Sequence, residues 1–464
     1  MKVLITGATG LIGSELGRVL ALRGDQITAL VRDPIRVQAS LPFPAMLVKW
    51  AADEPMSDEV RAALLSVDAI VHLAGEPVAD GRWTDERKKR IRESRINGTA
   101  SLVGALKEAG SRSSVKVFVH GSAIGIYGNR GDEILDHQSS RGSGFLADVV
   151  AAWEAELDVL STEKEIRTVT LRTSVVLARH GGALKKMLPI FRNGLGARLG
   201  LSGDQWMSWI HLDDMIRLLI HAIDSSKVAG VIEAAAPQPV RNKDFTTSFC
   251  EGLDVLQGPP VPEFALKLLY GEMASVLFDS QRVVPTATKA TGFEFHFQEI
   301  GVALADLLAP LRDQTHELLA EQWVPVSVDK VWPYFCDEKN LEELTPPLLS
   351  FQVLGKSTDR MQEGTLIDYR LSLNGIPFSW QTRIEDWVPG KRFVDNQLKG
   401  PYSLWHHTHE FLPMAGGTLL RDRVFYRLPM GILGNVAAGW KVVRDVDTIF
   451  KYRRKVIHEK FGKL

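Results

Sequence analysis

The chain has 464 residues, 45% of them hydrophobic and 24% charged, with a net charge of −1. That length exceeds one ordinary core and points to roughly two or three domains. The charge balance gives no reason to expect nucleic acid or a membrane surface as partner, and no apolar run reaches the roughly 20 residues of a spanning helix. The two cysteines, Cys250 and Cys336, lie far apart and suit a reducing cytoplasm better than a disulfide framework. The first strand begins at residue 2, so no signal peptide is expected.

Residues 2–6 form a short apolar run of the kind that makes a buried parallel strand. Gly7, Gly10 and Gly13 follow at three-residue spacing, and Leu11, Ile12, Leu16, Val19 and Leu20 then fall on one helical face. Strand, glycine turn and helix is the layout that brings a backbone against a pyrophosphate at a helix N-terminus. Gly7, Thr9, Gly10, Leu11, Ile12 and Gly13 are therefore assigned to a dinucleotide; the alternative is a purely structural turn. Residues 26–31 read as the second strand, ending in Arg32-Asp33. An arginine at this edge meets a ribose 2′-phosphate, whereas an acid accepts from a free 2′-hydroxyl. Arg32 thus favours NADP (NADPH), and Asp33 keeps NAD open.

Residues 46–49 and 68–73 read as further strands, the second running into Ala74-Gly75-Glu76. Leu73, Ala74, Gly75 and Glu76 are assigned to the cofactor, because small residues at a strand's carboxyl end admit its sugar and nicotinamide. A charged helix passes through residues 95–99, and a strand at 115–120 ends in a turn at 121–128.

HLAG (72–75), RINGT (95–99) and SAIGIYG (122–128), with the glycine triplet, resemble extended short-chain dehydrogenase/reductases of the nucleotide-sugar-epimerase type. EPVADGRW (76–83), SGDQWMSWIHLDDM (202–215) and SQRVVPTATKATGFEF (280–295) are similar to one epimerase-like subfamily, over about residues 1–308. The resemblance implies a tyrosine general acid or base with a lysine four residues on, at a helix start. This chain has Phe145 and Val149 there, or Leu146 and Val150 one residue later. The serine or threonine that the resemblance implies falls on Ala123, with Ser122 one step early. Phe145 moves no proton, and the subfamily commonly shows the same replacement. Ser122 and Tyr127, on the turn that faces the nicotinamide in this fold, are the catalytic candidates, with Glu76 on the opposing turn; Tyr127 in a Tyr-Gly turn is also a packing residue.

Residues 166–308 read as the substrate side, with a strand at 167–177, helices at 242–252 and 263–273, and a short apolar helix ending in 304–308. Arg172 inside the strand is expected to pair with a carboxylate. His211 is expected to be structural, and the resemblance gives an aspartate of the Asp213-Asp214 pair the capping of the next helix.

After residue 316 the composition changes: six of the eleven tryptophans lie beyond residue 320. A strand at 316–324, helices at 327–336 and 340–344, six strands between 350 and 428, and a helix at 435–461 are predicted. Turns are expected at Asn374-Gly375, Pro389-Gly390 and Gly416-Gly417. PVSVDKVWPYFCDEKNLEELTPP (325–347), GIPFSW (375–380), VDNQLKGPYSLWHHTHEF (394–411) and IFKYRRKVI (449–457) resemble the START-like helix-grip family, also called SRPBCC or polyketide-cyclase-like. An apolar cavity between sheet and helix is expected. His407 and His409 share one strand face, but no facing ligands are marked, so no metal site is assigned. Lys451, Arg453, Arg454 and Lys455 read as a solvated helix face.

The expected architecture is an α/β Rossmann-like doubly wound sheet with a small substrate domain (1–310; cofactor core 1–165, substrate side 166–308), followed by an α+β helix-grip domain (316–464). The expected function is that of an NADP-binding, epimerase- or reductase-like protein acting on a small molecule, with an apolar ligand in the second domain. The alternative is a cofactor-binding sensor or carrier without turnover.

Overall fold

The computed structural model describes residues 1–162, 166–373 and 376–462; the turn expected at Asn374-Gly375 lies outside them. Two compact units emerge. One comprises Met1–Pro34 and Ala45–Ala309, the other Ile35–Pro44 and Pro310–Leu464. Residues 35–44, expected in the first domain, belong to the second because the Trp323 amide donates to the Leu41 carbonyl at 3.0 Å.

In the first unit, β1 (Lys2–Thr6), β2 (Gln26–Val31), β3 (Met46–Lys49), β4 (Ala69–His72), β5 (Val117–Ala123), β6 (Arg167–Thr173) and β7 (Gly230–Ala234) form one sheet in the order β7-β6-β5-β4-β1-β2-β3. Every pairing in it is parallel. All four residues of β4 and the last four of β1 are buried. A parallel sheet covered on both faces needs such continuous apolar runs. Strand order reverses between β1 and β4, which opens a crevice beyond their carboxyl ends.

Two strand boundaries differ from expectation. β5 runs on through Gly121-Ser122-Ala123, because Ser122 still pairs with Arg172 of β6. The strand expected at 167–177 breaks at Ser174, whose amide donates to the Ala234 carbonyl at 3.1 Å. Residues Val175–Ala178 then pair with Trp209–His211 instead.

Helices α1 (Leu11–Arg23), α2 (Asp85–Ala109), α3 (Phe145–Ala155) and α4 (Leu212–Asp224) belong to this unit. Thr84 caps α2 by accepting from the Arg87 amide, and Asp85 and Glu86 complement the dipole in its first turn. The helix expected at 263–273 stops at Tyr270, where Gly271 takes φ +62°; glycine is the residue that tolerates this backbone.

A chain of buried polar groups crosses the sheet. The Thr6 hydroxyl accepts from the amides of Leu73 and Ala74, both at 3.1 Å, and meets His72 Nδ1 at 2.7 Å. With both lone pairs engaged, Thr6 donates to Nδ1, so the neutral imidazole carries its hydrogen on Nε2. His72 Nε2 then donates to Thr99 Oγ1 at 3.1 Å, and Trp153 Nε1 donates to the same oxygen at 2.8 Å. Burial, with a contribution from Arg95, holds the His72 pKa down to about 3.

His120, paired with His72 across β4 and β5, is also fully buried, and neither of its ring nitrogens has a hydrogen-bond partner among the described residues. Burial keeps its pKa well below 6.5.

The second unit holds β8 (His316–Val324), β9 (Gln352–Lys356), β10 (Leu366–Leu373), β11 (Ile376–Val388), β12 (Arg392–Lys399), β13 (Leu404–Met414) and β14 (Gly417–Arg427). They form an antiparallel sheet in the order β8-β14-β13-β12-β11-β10-β9. Helix α5 (Gly431–Phe461) buries Val446, Phe450, Arg453, Val456 and Ile457, and Val456 and Ile457 join Phe393, Phe411 and Leu420 of the sheet in one core. This is the helix-grip architecture expected from the sequence.

Acid sensitivity follows from the two buried histidines. Unfolded histidine binds a proton near pH 6.5, whereas folded His72 does so near 3. The contribution of these groups to stability is whole above pH 6.5 and declines as the pH falls below it, because the unfolded chain gains protons first. By pH 5 the depressed His72 costs about 2 kcal/mol. His120→Phe, which removes a ring without hydrogen bonds, is expected to reduce the stability lost between pH 7 and 5 in urea titrations. An unchanged loss would contradict the burial of a neutral His120.

Candidate functional site

The glycine turn after β1 is fixed by close approach. Gly7 takes φ +73°, and a Cβ on it would lie 2.9 Å from the Leu73 carbonyl carbon. A Cβ on Gly13 would lie 2.3 Å from the Gly7 carbonyl oxygen, so only glycine lets α1 begin here. Gly10 caps α1 in extended conformation and offers no side chain to the first-turn amides. No acidic residue stands in that first turn. Thr9 and Gly10 are exposed, Leu11 and Ile12 half-buried, and Gly13 buried. The result is a helix N-terminus with open backbone donors and a positive dipole end, the environment a pyrophosphate needs. The residues present therefore fit a dinucleotide.

Arg32 follows the last residue of β2 and is exposed, as is Asp33. Leu73 and Ala74 are half-buried, and their amides are held by Thr6. Gly75 is exposed; a Cβ there would lie 3.2 Å from Arg95 Cζ. Glu76 donates its amide to Ser94 Oγ at 3.1 Å, and its carbonyl accepts from Arg95 Nη1 at 3.0 Å. Burial brings the Arg95 pKa down to about 10. The loop from 73 to 76 is thus clamped from Thr6 on one side and from α2 on the other.

The two hydroxyls expected near the chemistry lie in a buried network. Ser122 is 5% exposed and donates to Glu154 Oε1 at 2.5 Å. Glu154 also takes Arg172 Nε at 3.0 Å and Nη2 at 2.8 Å, the pairing expected for that arginine. Arg172 Nη1 reaches the Tyr127 hydroxyl at 3.1 Å, and that hydroxyl donates to the Asp136 carbonyl at 2.7 Å. Tyr127 is 0% exposed, and burial pushes its phenol up to about 12. Sequence reasoning missed Glu154, the hub of this network; the available signal is a carboxylate interrupting the apolar run 149–155 of α3.

A cleft of about 1180 Å³ opens in this unit, and neither Ser122 nor Tyr127 lines it. Its wall includes Trp83, Phe145, Leu201, Phe264 and Phe278, with Lys267 and Glu263 among the polar groups. Phe145 packs edge-on against Trp83 at 5.0 Å, and Lys88 Nζ lies 5.5 Å from its ring centre. Val149 is buried in α3, and Leu146 packs on the Gly125 turn. An aromatic pair and an aliphatic core thus occupy the positions of the expected tyrosine and lysine.

His211, not an aspartate, caps α4: its side chain accepts from the Asp213 amide at 3.1 Å. Asp214 is buried and accepts from the amides of His296 and Phe297, both at 2.9 Å, so its carboxylate binds a distant loop.

In the second unit, a cavity of about 20 Å³ lies among Leu341, Leu344, Met361, Ile367, Ile384 and Phe393, with Asp395, His409 and Arg453 also on its wall. That space takes a water or an ion, far less than the roughly 300 Å³ or more of a small-molecule site. The expected apolar ligand would need it to widen, and its wall is not purely apolar.

Arg453, expected on a solvated face, is 7% exposed, because its Nε lies 3.3 Å from Asp422 Oδ2 and its guanidinium 5.4 Å from the Phe335 ring centre. Arg454 is half-buried, whereas Lys451 and Lys455 are exposed as expected. Asp422 Oδ1 lies 3.0 Å from His407 Nε2 and 2.8 Å from His409 Nδ1. Burial acts to raise the Asp422 pKa, but Arg453 and the imidazoles outweigh it and hold the group well below the usual carboxylate range. Burial holds His409 down to about 3.

Comparison with known proteins agrees with both folds. Residues 3–234 match the model of the NAD dependent epimerase/dehydratase family. Residues 261–307 match a domain of unknown function, and 324–449 match a family described as polyketide cyclase / dehydrase and lipid transport. The chloroplastic epimerase family protein SDR39U1 homolog of Arabidopsis thaliana is 36% identical over 315 residues, 66% of this chain and 87% of that protein. An epimerase family protein of Mycobacterium bovis is 39% identical over 304 residues, 65% of this chain and 96% of that one. The crystal structure of human epimerase family protein SDR39U1 (isoform2) with NADPH has a TM-score of 0.59 at 32% identity, covering 67% of this chain and 99% of that chain.

Tyr127→Phe leaves the network around Arg172 one hydrogen-bonding hydroxyl short. The expected outcome is a loss of about 1–2 kcal/mol in urea unfolding, with dinucleotide affinity unchanged. A large fall in turnover without loss of stability would instead make Tyr127 a catalytic group.

Proposed function

The chain belongs to the NAD dependent epimerase/dehydratase family, and from that premise we propose that its first unit binds NADPH beside an aromatic-walled cleft and acts there on a small, largely apolar molecule. The observation that carries this reading is the Gly7–Gly13 turn, where a Cβ on Gly13 would meet the Gly7 carbonyl oxygen at 2.3 Å and the α1 amides are left open. Arg32, exposed at the end of β2, supports the phosphorylated cofactor, as does the NADPH in the human relative's structure. When bound, the nicotinamide supplies hydride transfer.

This chain's residues supply placement. The α1 N-terminus holds the pyrophosphate, Arg32 reaches the 2′-phosphate, and the clamped loop from 73 to 76 admits the ribose and nicotinamide. Trp83, Phe145, Leu201, Phe264 and Phe278 enclose an apolar substrate body. Ser122 and Tyr127 position the end of β5 through Glu154 and Arg172.

One observation favours a second reading, a cofactor-holding protein without turnover. Phe145 against Trp83 and the buried Val149 leave no proton donor where the family's acid–base pair stands. Oxidation of NADPH in the presence of aromatic carbonyl compounds separates the two: consumption supports the first reading, and its absence across the series supports the second.

NADPH is expected to bind at least roughly tenfold more tightly than NADH in a fluorescence titration. Arg32→Ala is expected to remove most of that preference, because one charge-assisted phosphate contact contributes about 1.5–3 kcal/mol. Equal affinities in the wild-type protein would overturn the role given to Arg32.

A further inference from the structure

Strand register in the second unit assembles a group of side chains that are far apart in the chain. Asp395 of β12 stands opposite His407 of β13, and Asp422 of β14 stands opposite His409. The two histidines, both buried, are therefore flanked by a carboxylate from each neighbouring strand. Arg453 closes the group from α5, with Nη2 3.3 Å from His409 Nδ1.

Asp422 and Asp395 differ in what they touch. Asp422 accepts from both imidazoles on one side. An ionised carboxylate has no hydrogen to give, so His407 Nε2 carries one; His409 Nδ1 lies 2.8 Å from Asp422 Oδ1 and 3.3 Å from Arg453 Nη2, and the shorter contact to the carboxylate gives it a hydrogen as well, so that the guanidinium makes no hydrogen bond to it. In the neutral rings the lone pairs then sit on His407 Nδ1 and His409 Nε2. Asp395 Oδ1, buried, has no hydrogen-bond partner among the described residues. Donor atoms of Asp395, His407 and His409 all lie within 4.8 Å of one another. The small cavity borders Asp395 and His409.

We propose that Asp395, His407 and His409 form a binding site for one divalent transition-metal ion of the zinc class, with Asp422 orienting both imidazoles from behind. Two imidazoles and one carboxylate are a donor set for such an ion, with a fourth position left for water. A carboxylate accepting the far N–H of each metal-bound histidine is the usual outer support. Arg453 pairs with Asp422 and keeps that support ionised.

The test uses the full chain, stripped with EDTA and desalted, then loaded with zinc sulfate or cobalt(II) chloride alone. The expected result is one retained equivalent per chain, and cobalt absorption bands of a four- or five-coordinate ion with nitrogen and oxygen ligands. Asp395→Asn and His409→Gln are each expected to weaken retention at least roughly tenfold, with the far-ultraviolet circular dichroism unchanged. His296→Gln, in the group of Asp213, Asp214 and His296, where the histidine is exposed, is expected to leave retention as it was. Failure of the wild-type chain to retain either ion overturns the proposal, and that result does not depend on how any variant folds. So does retention that is indifferent to Asp395→Asn or that is lost with His296→Gln.

Discussion

The hydrogen bond between Thr6 and His72 is the contact on which the cofactor side of this protein depends. It ties the carboxyl end of β1 to that of β4, the two strands between which the sheet reverses its order. The same hydroxyl holds the amides of Leu73 and Ala74. The glycine turn after β1 can approach Leu73 as closely as it does only because that loop is held still. His72 passes the constraint on to Thr99 of α2 and Trp153 of α3. A neutral imidazole suits this position, since a charged one would lose its acceptor at Nδ1 and carry an uncompensated charge in the core.

The crevice shows two kinds of constraint. Its cofactor side is built from backbone demands: a positive φ at Gly7, a close approach at Gly13, open amides at the start of α1. Its substrate side is built from packing, with Phe145 on Trp83 and Val149 in the core of α3. Replacing a tyrosine and lysine by apolar residues removes the proton-transfer groups without disturbing the pyrophosphate end. The polar network of Ser122, Glu154, Arg172 and Tyr127, none of which lines the cleft, ties the end of β5 to β6 and α3.

What could be read from sequence follows the range of each signal. The glycine turn, the alternating strands and helices, and the helix-grip order of the second unit are local patterns, and they stand in the structure. Glu154, Asp395 and Asp422 act through partners on strands more than ten residues away in the chain, and no local pattern marks them. Arg453 was misread because its neighbours Lys451 and Lys455 are solvated; only the tertiary contact with Asp422 explains its burial. His211 holds the cap expected of an aspartate because α4 begins at Leu212, which places Asp213 and Asp214 inside its first turn. The stretch from 35 to 44 carries no pattern of its own, and its membership in the second unit shows only in tertiary contacts such as that of Trp323 with Leu41.

The central claim is that this chain keeps a working dinucleotide cradle although it lacks the family's tyrosine and lysine. Native mass spectrometry of the full chain, purified without added cofactor and then again after incubation with NADPH, tests it most directly. One bound dinucleotide per chain, present at purification or acquired on incubation, is the expected result. A chain that stays free of dinucleotide in both samples, up to millimolar NADPH, would contradict the claim.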